Sequence, residues 1–147
     1  MGKTQQFGDL ELAFTDHFAL RWNDRHSGGF RNGAFWHPIP PQGFHPVGGL
    51  GLGNHGDPNN NVAALCVAAS EAGNDALAEP RSYECIWTDR GSSASRHGSC
   101  WRPIPPDGYV ALGDVFVSAY NEPSNDDVVC VSEGRDCQWS SRVLNLE

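Results

Sequence analysis

Two aspartates in this sequence each follow a tryptophan by two residues, and each precedes an arginine and a loop of small residues. The segments are Asp24-Arg25-His26-Ser27-Gly28-Gly29 and Asp89-Arg90-Gly91-Ser92-Ser93. A carboxylate beside backbone amides in such a loop can accept hydrogen bonds from two sugar hydroxyls, or bind calcium if further oxygens converge. Alternatively, each aspartate caps its own turn with an Asx hydrogen bond, so that its occurrence in both segments reflects folding.

The patterns typical of a catalytic or metal site are missing from the sequence. There is no GxSxG motif, no glycine-rich phosphate loop, and no Cys/His or Ser/His motif of specific spacing. The histidines share no HxH or HxxxH spacing, and we predict that they face solvent on strands: His17, His26, His37, His45, His55 and His97. We therefore predict that the protein is not an enzyme. The sequence does not identify residues that would bind a metal.

The distribution of charge restricts the class of ligand. The formal net charge is -8, and the ten Lys and Arg residues are scattered, with no two of them adjacent. Nucleic acids and anionic membranes bind to a positive stripe, so the scatter disfavours both. A neutral ligand, a cation such as calcium or a basic partner fits better. No other cofactor is predicted, and the sequence does not indicate an oligomeric state.

No targeting or membrane-spanning segment is visible in the sequence. Residues 1–6 contain a single lysine that no apolar run follows, and nowhere is there an apolar stretch of about 18 residues. The chain is therefore predicted to be soluble and cytoplasmic.

An internal repeat dominates the sequence. Residues 21–50 align without gaps to residues 86–115, with thirteen of thirty positions identical. A third, partial copy of the repeat begins near Trp139, which matches Trp22 and Trp87. We predict one domain over residues 1–147, with repeat 1 at about 18–70, repeat 2 at about 83–134, and a partial third copy formed by 135–147 plus 8–16.

Each full copy is predicted to form about four strands. The third of these is one long run, FHPVGGLGL in the first copy and YVALGDVFVSAY in the second, and a Pro-Pro-x-Gly turn precedes it. Residues 10–14 alternate apolar and polar side chains, as a half-buried strand should, and pairing them with residues 142–146 would close the fold. The prediction is an all-β fold, a β-prism of three roughly four-stranded sheets with pseudo-three-fold symmetry. A β-sandwich is the alternative.

The repeat also predicts the core. The three tryptophans and the residues two positions before them should share one face of a strand: Trp22, Trp87, Trp139, Leu20, Cys85 and Cys137. The five cysteines are an odd number without CxxC pairs, and each has an apolar or cysteine counterpart in the repeat, so we interpret them as small core residues. A disulfide between Cys85 and Cys137 is the less favoured alternative.

The second copy resembles the Vps62 family, named for a vacuolar protein sorting protein. The resemblance rests on the tryptophan, proline and glycine spacing of WxDxxS followed by WxPIPPxGYxxLGDV, from Trp87 and Asp89 through Trp101 to Tyr109 and Asp114. The first copy departs from this pattern at Gly49, where the second has Asp114. If the family's aspartate binds a ligand, only the second copy retains it.

The resemblance implies a β-prism-type repeat protein. Similar prisms serve as sugar-binding lectins and as membrane-targeting modules of pore-forming toxins, which is an analogy of fold only. The predicted function is a non-enzymatic, lectin-like module for a neutral glycan or glycolipid head group. The alternative is a membrane-associating, toxin-accessory or trafficking module, whose negative charge would require a neutral lipid, a receptor or a calcium bridge. The predicted ligand-binding residues are Asp24, Arg25, Asp89, Arg90, Tyr109 and Asp114.

Overall fold

The computed structural model describes residues 3–134, and within them the chain forms β-strands and turns but no helix. The strands are β1 (Gln5–Phe7), β2 (Leu10–Thr15), β3 (Phe18–Asn23), β4 (Ala34–Pro38), β5 (His45–Pro46), β6 (Leu50–Leu52), β7 (Ala64–Ala69), β8 (Leu77–Ala78), β9 (Ser82–Thr88), β10 (Ser99–Ile104), β11 (Tyr109–Val110), β12 (Val115–Val117) and β13 (Cys130–Ser132). The all-β prediction is therefore confirmed. No helix long and apolar enough to cross a membrane occurs in this part of the chain.

The repeat is visible in the sheets, which are all antiparallel. Strands β3, β4 and β6 form one three-stranded sheet, and β9, β10 and β12 form its counterpart in the second copy. Strands β2, β7 and β5 correspond likewise to β8, β13 and β11, and β1 extends the first of these sheets at its edge. The described residues thus form four sheets of three or four strands, and none of these sheets closes into a barrel.

The strand before each copy belongs to the repeat as well. In the first copy Leu12 pairs with Val67 across β2 and β7, and in the second Leu77 pairs with Val131 across β8 and β13. Because Leu77 follows Leu12 by the same 65 residues that separate Trp22 and Trp87, β2 and β8 are equivalent strands. Because β2 pairs with β1 along one edge and with β7 along the other, its residues 10–12 have no free edge for the predicted pairing with residues 142–146. Residues 142–146 lie outside the described residues, as do Cys137 and Trp139.

The predicted third strand is wrong in both copies, because the run divides between two sheets. It separates into β5 and β6 in the first copy and into β11 and β12 in the second. The bends between them meet at Gly48 and Gly113, where a β-carbon on Gly48 would lie 2.9 Å from the Gly113 Cα. Backbones can approach this closely only where both residues lack side chains.

The predicted Pro-Pro-x-Gly turns are present in both copies. The Phe44 N–H donates to Pro41 O at 3.0 Å, and the Tyr109 N–H donates to Pro106 O at 3.1 Å. The third residue of each turn, Gly43 or Gly108, has a positive φ of 84° or 82°. Glycine is required there because other residues rarely adopt that backbone conformation.

A β-bulge corrects the predicted core face. Leu20 pairs with Trp36 while Trp22 pairs with the adjacent residue Phe35, so one extra residue of β3 stands between them. An extra residue reverses the alternation of side chains, which places Leu20 and Trp22 on opposite faces of the sheet.

The same bulge occurs in β9, between Cys85 and Trp87. Trp22 is buried, at 6% exposure, as predicted, whereas Trp87 is 37% exposed and Cys85 is exposed. The predicted burial of Cys85 and of Trp87 is therefore wrong. The remaining described cysteines, Cys66, Cys100 and Cys130, are buried free thiols, as small core residues should be.

Four aromatic rings join the two copies. Trp22 stacks on Phe35 with ring centroids 5.3 Å apart and meets Trp87 edge-on at 5.0 Å, while Phe35 stacks on Phe116 at 4.0 Å. Such contacts contribute about 0.5–1.5 kcal/mol each beyond the area they bury.

The side chains in this interface are complementary in size. Cys100 stands in the second copy where the first has Phe35, and Gly51 stands in the first where the second has Phe116. The paired residues Trp22, Phe35 and Gly51 therefore face the paired residues Trp87, Cys100 and Phe116. After the tryptophan, the first row has a large and then a small residue, and the second has a small and then a large one.

Candidate functional site

Each predicted Asp-Arg pair begins a loop that the aspartate backbone closes. The Asp24 N–H donates to Gly33 O at 3.0 Å, and the Asp24 carbonyl accepts from the Ser27 N–H at 3.0 Å. The second copy repeats both bonds around Asp89, at 3.1 and 2.9 Å. The loops at residues 24–33 and 89–98 thus share one design.

The two carboxylates point into the fold. Asp89 is 5% exposed, and its Oδ1 accepts hydrogen bonds from the Gly98 N–H at 2.9 Å and from the Tyr120 hydroxyl at 2.7 Å. The Asp24 Oδ1 accepts a short hydrogen bond from His55 Nε2. His55 and Tyr120 occupy the same repeat position, 31 residues after their aspartates. Both copies therefore hold the carboxylate through a residue of the bend that follows β6 or β12.

These contacts keep both aspartates charged. Burial raises the pKa of the Asp89 carboxyl. The hydrogen bonds from Tyr120 and Gly98 lower this pKa by a larger amount, so that the net shift is downward. Burial likewise raises the pKa of Asp24, and the Gly33 amide and His55 reverse that effect. Folding by itself thus explains why both copies have an aspartate here.

Arg25 and Arg90, in contrast, lie at the surface. Both residues are exposed, and the guanidinium of Arg90 lies 4.0 Å from the centre of the Tyr120 ring. The two loops touch, because the Ser95 N–H donates to Arg25 O at 3.1 Å and the Trp22 Nε1–H donates to Arg96 O at 3.0 Å. The structure therefore brings four predicted site residues together at one end of the molecule, which we call the loop end (residues 24–33 and 89–98).

Asp114 and Tyr109 belong to a different surface. Ser99, which directly follows the second loop, pairs with Val117 at the far end of β12, whereas Asp114 precedes the first residue of that strand. Tyr109 is tied down by its hydroxyl, which donates to Asp75 O at 2.7 Å. The structure thus separates these two predicted residues from the other four.

Asp114 lies at an open groove of about 490 Å³, which we call the proline groove. The residues that line it are Arg102, Pro103, Pro105, Val110, Ala111, Leu112, Gly113 and Asp114. Arg102 donates from Nε and Nη2 to the two carboxylate oxygens of Asp114, at 3.1 and 3.2 Å. Leu112 is 55% exposed, so an apolar side chain lies at the surface beside this ion pair.

Three residues of these surfaces were not predicted to have a role. Arg102 is the partner of Asp114, and the repeat offers a signal for it, since the first copy lacks both Arg102 and Asp114, having His37 and Gly49 there instead. His55 and Tyr120 differ in type, so only their equal spacing from the aspartates marks them.

The histidines are less uniform than predicted. His37 is buried, at 8% exposure, and its Nε2 lies 3.0 Å from Asp127 O, so the prediction that it faces solvent is wrong. Within residues 3–134, no three His, Cys, Asp or Glu side chains are grouped so that they could hold a metal ion.

The family model of vacuolar protein sorting-associated protein 62 matches residues 51–146, which contain the whole second copy. The chain belongs to the Vps62 family. This confirms the resemblance seen in the tryptophan and proline motifs. No curated protein matches the chain.

A solved structure is also similar to the chain. The crystal structure of GNIP1Aa from Chromobacterium piscinae superposes on it with a TM-score of 0.71 and 32% sequence identity. The similarity covers 85% of this chain but only 24% of GNIP1Aa, so the chain spans about a quarter of that protein.

Proposed function

We propose that this Vps62-family protein is a non-catalytic, lectin-like module that binds a neutral glycan in the proline groove. The observation that carries the proposal is the bidentate ion pair of Arg102 and Asp114 on the rim of an apolar groove. The family match and the likeness to GNIP1Aa support a binding role.

The chemistry of the groove suits a sugar. A paired guanidinium and carboxylate still offer free N–H donors and free lone pairs, which vicinal hydroxyls can bind as both acceptors and donors. The pair is oriented in advance, so that less side-chain freedom is lost on binding. Leu112 and Pro105 present an apolar surface to the C–H face of the ring.

A glycan array and titration calorimetry with the full chain test this proposal. The wild-type protein should bind at least one neutral glycan. Asp114→Gly, which introduces the residue found at the equivalent position 49 of the first copy, should abolish binding. Asp107→Asn, an exposed carboxylate in the preceding turn, is the matched control and should bind normally. The array is run with and without calcium, because the proposal allows for glycan binding that requires calcium. Failure to bind any neutral glycan under both conditions contradicts it.

We also propose that residues 1–147 form a single β-prism. Two copies each supply the same two sets of paired strands, and the third, partial copy would come from residues 135–147, because β2 already belongs to the first copy. A crystal structure with a third sheet equivalent to β3-β4-β6 would support this arrangement. A β-sandwich packing of the sheets would contradict it.

A further inference from the structure

The loop end collects positive charge that is dispersed in the sequence. Its twenty residues include four of the ten basic residues of the chain but only two of the eighteen acidic ones. All four arginines are exposed: Arg25, Arg31, Arg90 and Arg96. The two acidic residues are Asp24 and Asp89, whose carboxylates turn inward. The outer surface of the loop end is therefore basic, although the protein as a whole is acidic.

These arginines are not neutralised by neighbours. The ion pairs among residues 3–134 involve Arg21 and Arg102 but none of the loop-end arginines, so no described carboxylate lies within 4.0 Å of their guanidinium groups. Arg90 packs over the Tyr120 ring, which leaves its charge in place. Four uncompensated positive charges on two touching loops form a site that attracts anions.

A fully exposed aromatic ring stands among these charges. Phe30 is 108% exposed, directly before Arg31 and after Gly28 and Gly29. No aromatic partner for its ring occurs among the described contacts. Transfer of this ring from water into an apolar environment would be favourable.

We propose that the loop end docks on an anionic lipid membrane, with Phe30 inserted between the head groups. An aromatic ring flanked by arginines suits the membrane interface, where the ring reaches the acyl boundary and the guanidinium groups bind lipid phosphates. The other fourteen acidic residues of the described chain belong to a surface that lies outside these two loops. At physiological ionic strength its repulsion is screened beyond about 8 Å.

The geometry favours a membrane over a nucleic acid. A planar surface needs only one end of the molecule to be positive, whereas a nucleic acid follows a basic stripe or groove along the protein. The scatter of basic residues in the sequence predicts against anionic membranes. The fold nevertheless brings residues 25–31 and 90–96 together at one end of the molecule.

Vesicle sedimentation tests the proposal with the full chain. The protein should bind vesicles of phosphatidylcholine with phosphatidylserine, should not bind phosphatidylcholine alone, and should lose binding as salt increases. Phe30→Ala should weaken binding about tenfold, as expected for a ring removed from water. Arg31→Gln and Arg96→Gln should each weaken it about fivefold.

Two matched variants serve as controls. Phe14→Ala removes another exposed phenylalanine, 53% exposed on β2, and Arg81→Gln removes an exposed arginine at the opposite end of β9. Both should bind vesicles as the wild type does. Circular dichroism of each variant verifies its fold.

Three results would overturn the proposal. One is the absence of sedimentation with phosphatidylserine vesicles at low salt, and another is equal binding by Phe30→Ala and Phe14→Ala. The third is tighter binding to single-stranded DNA or heparin that Phe30→Ala does not affect, which would assign the arginines to a polyanion instead. Since the vesicles contain no glycan, the outcome is independent of the proline groove.

Discussion

The ring of Phe116 fills the space in front of Gly49. A β-carbon on residue 49 would lie 2.5 Å from the ring Cδ2 and 3.3 Å from Trp36 O. Residue 49 is therefore a glycine because the second copy packs a ring against it, and this contact explains why only Asp114, at the equivalent position, has a carboxylate. The two copies differ here for reasons of packing.

This contact predicts opposite tolerance at two equivalent positions. Gly49→Ala should reduce the free energy of unfolding by about 1–3 kcal/mol, since Phe116 is held by its stack on Phe35 and cannot move freely. Asp114→Gly removes an ion pair whose arginine side chain is 59% exposed, and should cost about 1 kcal/mol or less. Urea denaturation measures both values. A larger loss for Asp114→Gly than for Gly49→Ala would show that Asp114 is structural.

Gly98 and its repeat counterpart Gly33 provide a second matched pair. A β-carbon on Gly98 would collide with the indole of Trp22, which is buried and stacked on Phe35, whereas a β-carbon on Gly33 would meet nothing within 4 Å. Gly98→Ala should therefore destabilise the protein by about 2 kcal/mol or more, and Gly33→Ala by less than about 0.5 kcal/mol. Thermal unfolding of the two variants compares them directly. Equal losses would mean that Trp22 can move away.

The buried carboxylate of Asp89 predicts loss of stability in acid. Because folding lowers its pKa below the ordinary value of 3.8, its contribution is complete above that pH and is lost as the pH falls toward the folded pKa. The Asp89→Asn variant should be less stable than the wild type at pH 6, and the difference should shrink below about pH 3.8.

Denaturation curves measured from pH 6 down to well below pH 3.8 follow that difference. Asp107→Asn, at an exposed turn, is the control and should match the wild type throughout. A difference between Asp89→Asn and the wild type that stays constant with pH would show that folding does not alter the Asp89 pKa.

The described cysteines should differ sharply in reactivity. Burial raises the pKa of the Cys66 and Cys100 thiols to about 11 and also raises that of Cys130, whereas Cys85 is exposed. Since the thiolate is the reactive form, maleimide should label Cys85 at least about tenfold faster than these three. Peptide mass spectrometry identifies each labelled site, and Cys85→Ser should lose the fast phase. Rapid labelling of Cys66 in the folded protein would contradict the buried core.

The sequence alone determined the local parts of this structure. The repeat and its register follow from matched residues such as Trp22 and Trp87, and the turns at Gly43 and Gly108 follow from the backbone freedom of glycine. Strand positions such as β4 and β10 were predictable because each alternates or clusters apolar residues over a few positions. These features depend on neighbours within a few residues of one another.

Only the tertiary structure decided which faces and surfaces these parts form. One bulge residue reverses the side-chain alternation, so that Cys85 faces solvent although its spacing from Trp87 predicts the core. The aspartates turn inward because they form hydrogen bonds with His55 and Tyr120, each 31 residues further along the chain. The arginines lie close together because the two loops are in contact. Contacts between residues distant in the chain depend on how the sheets pack, which no local pattern of residues specifies.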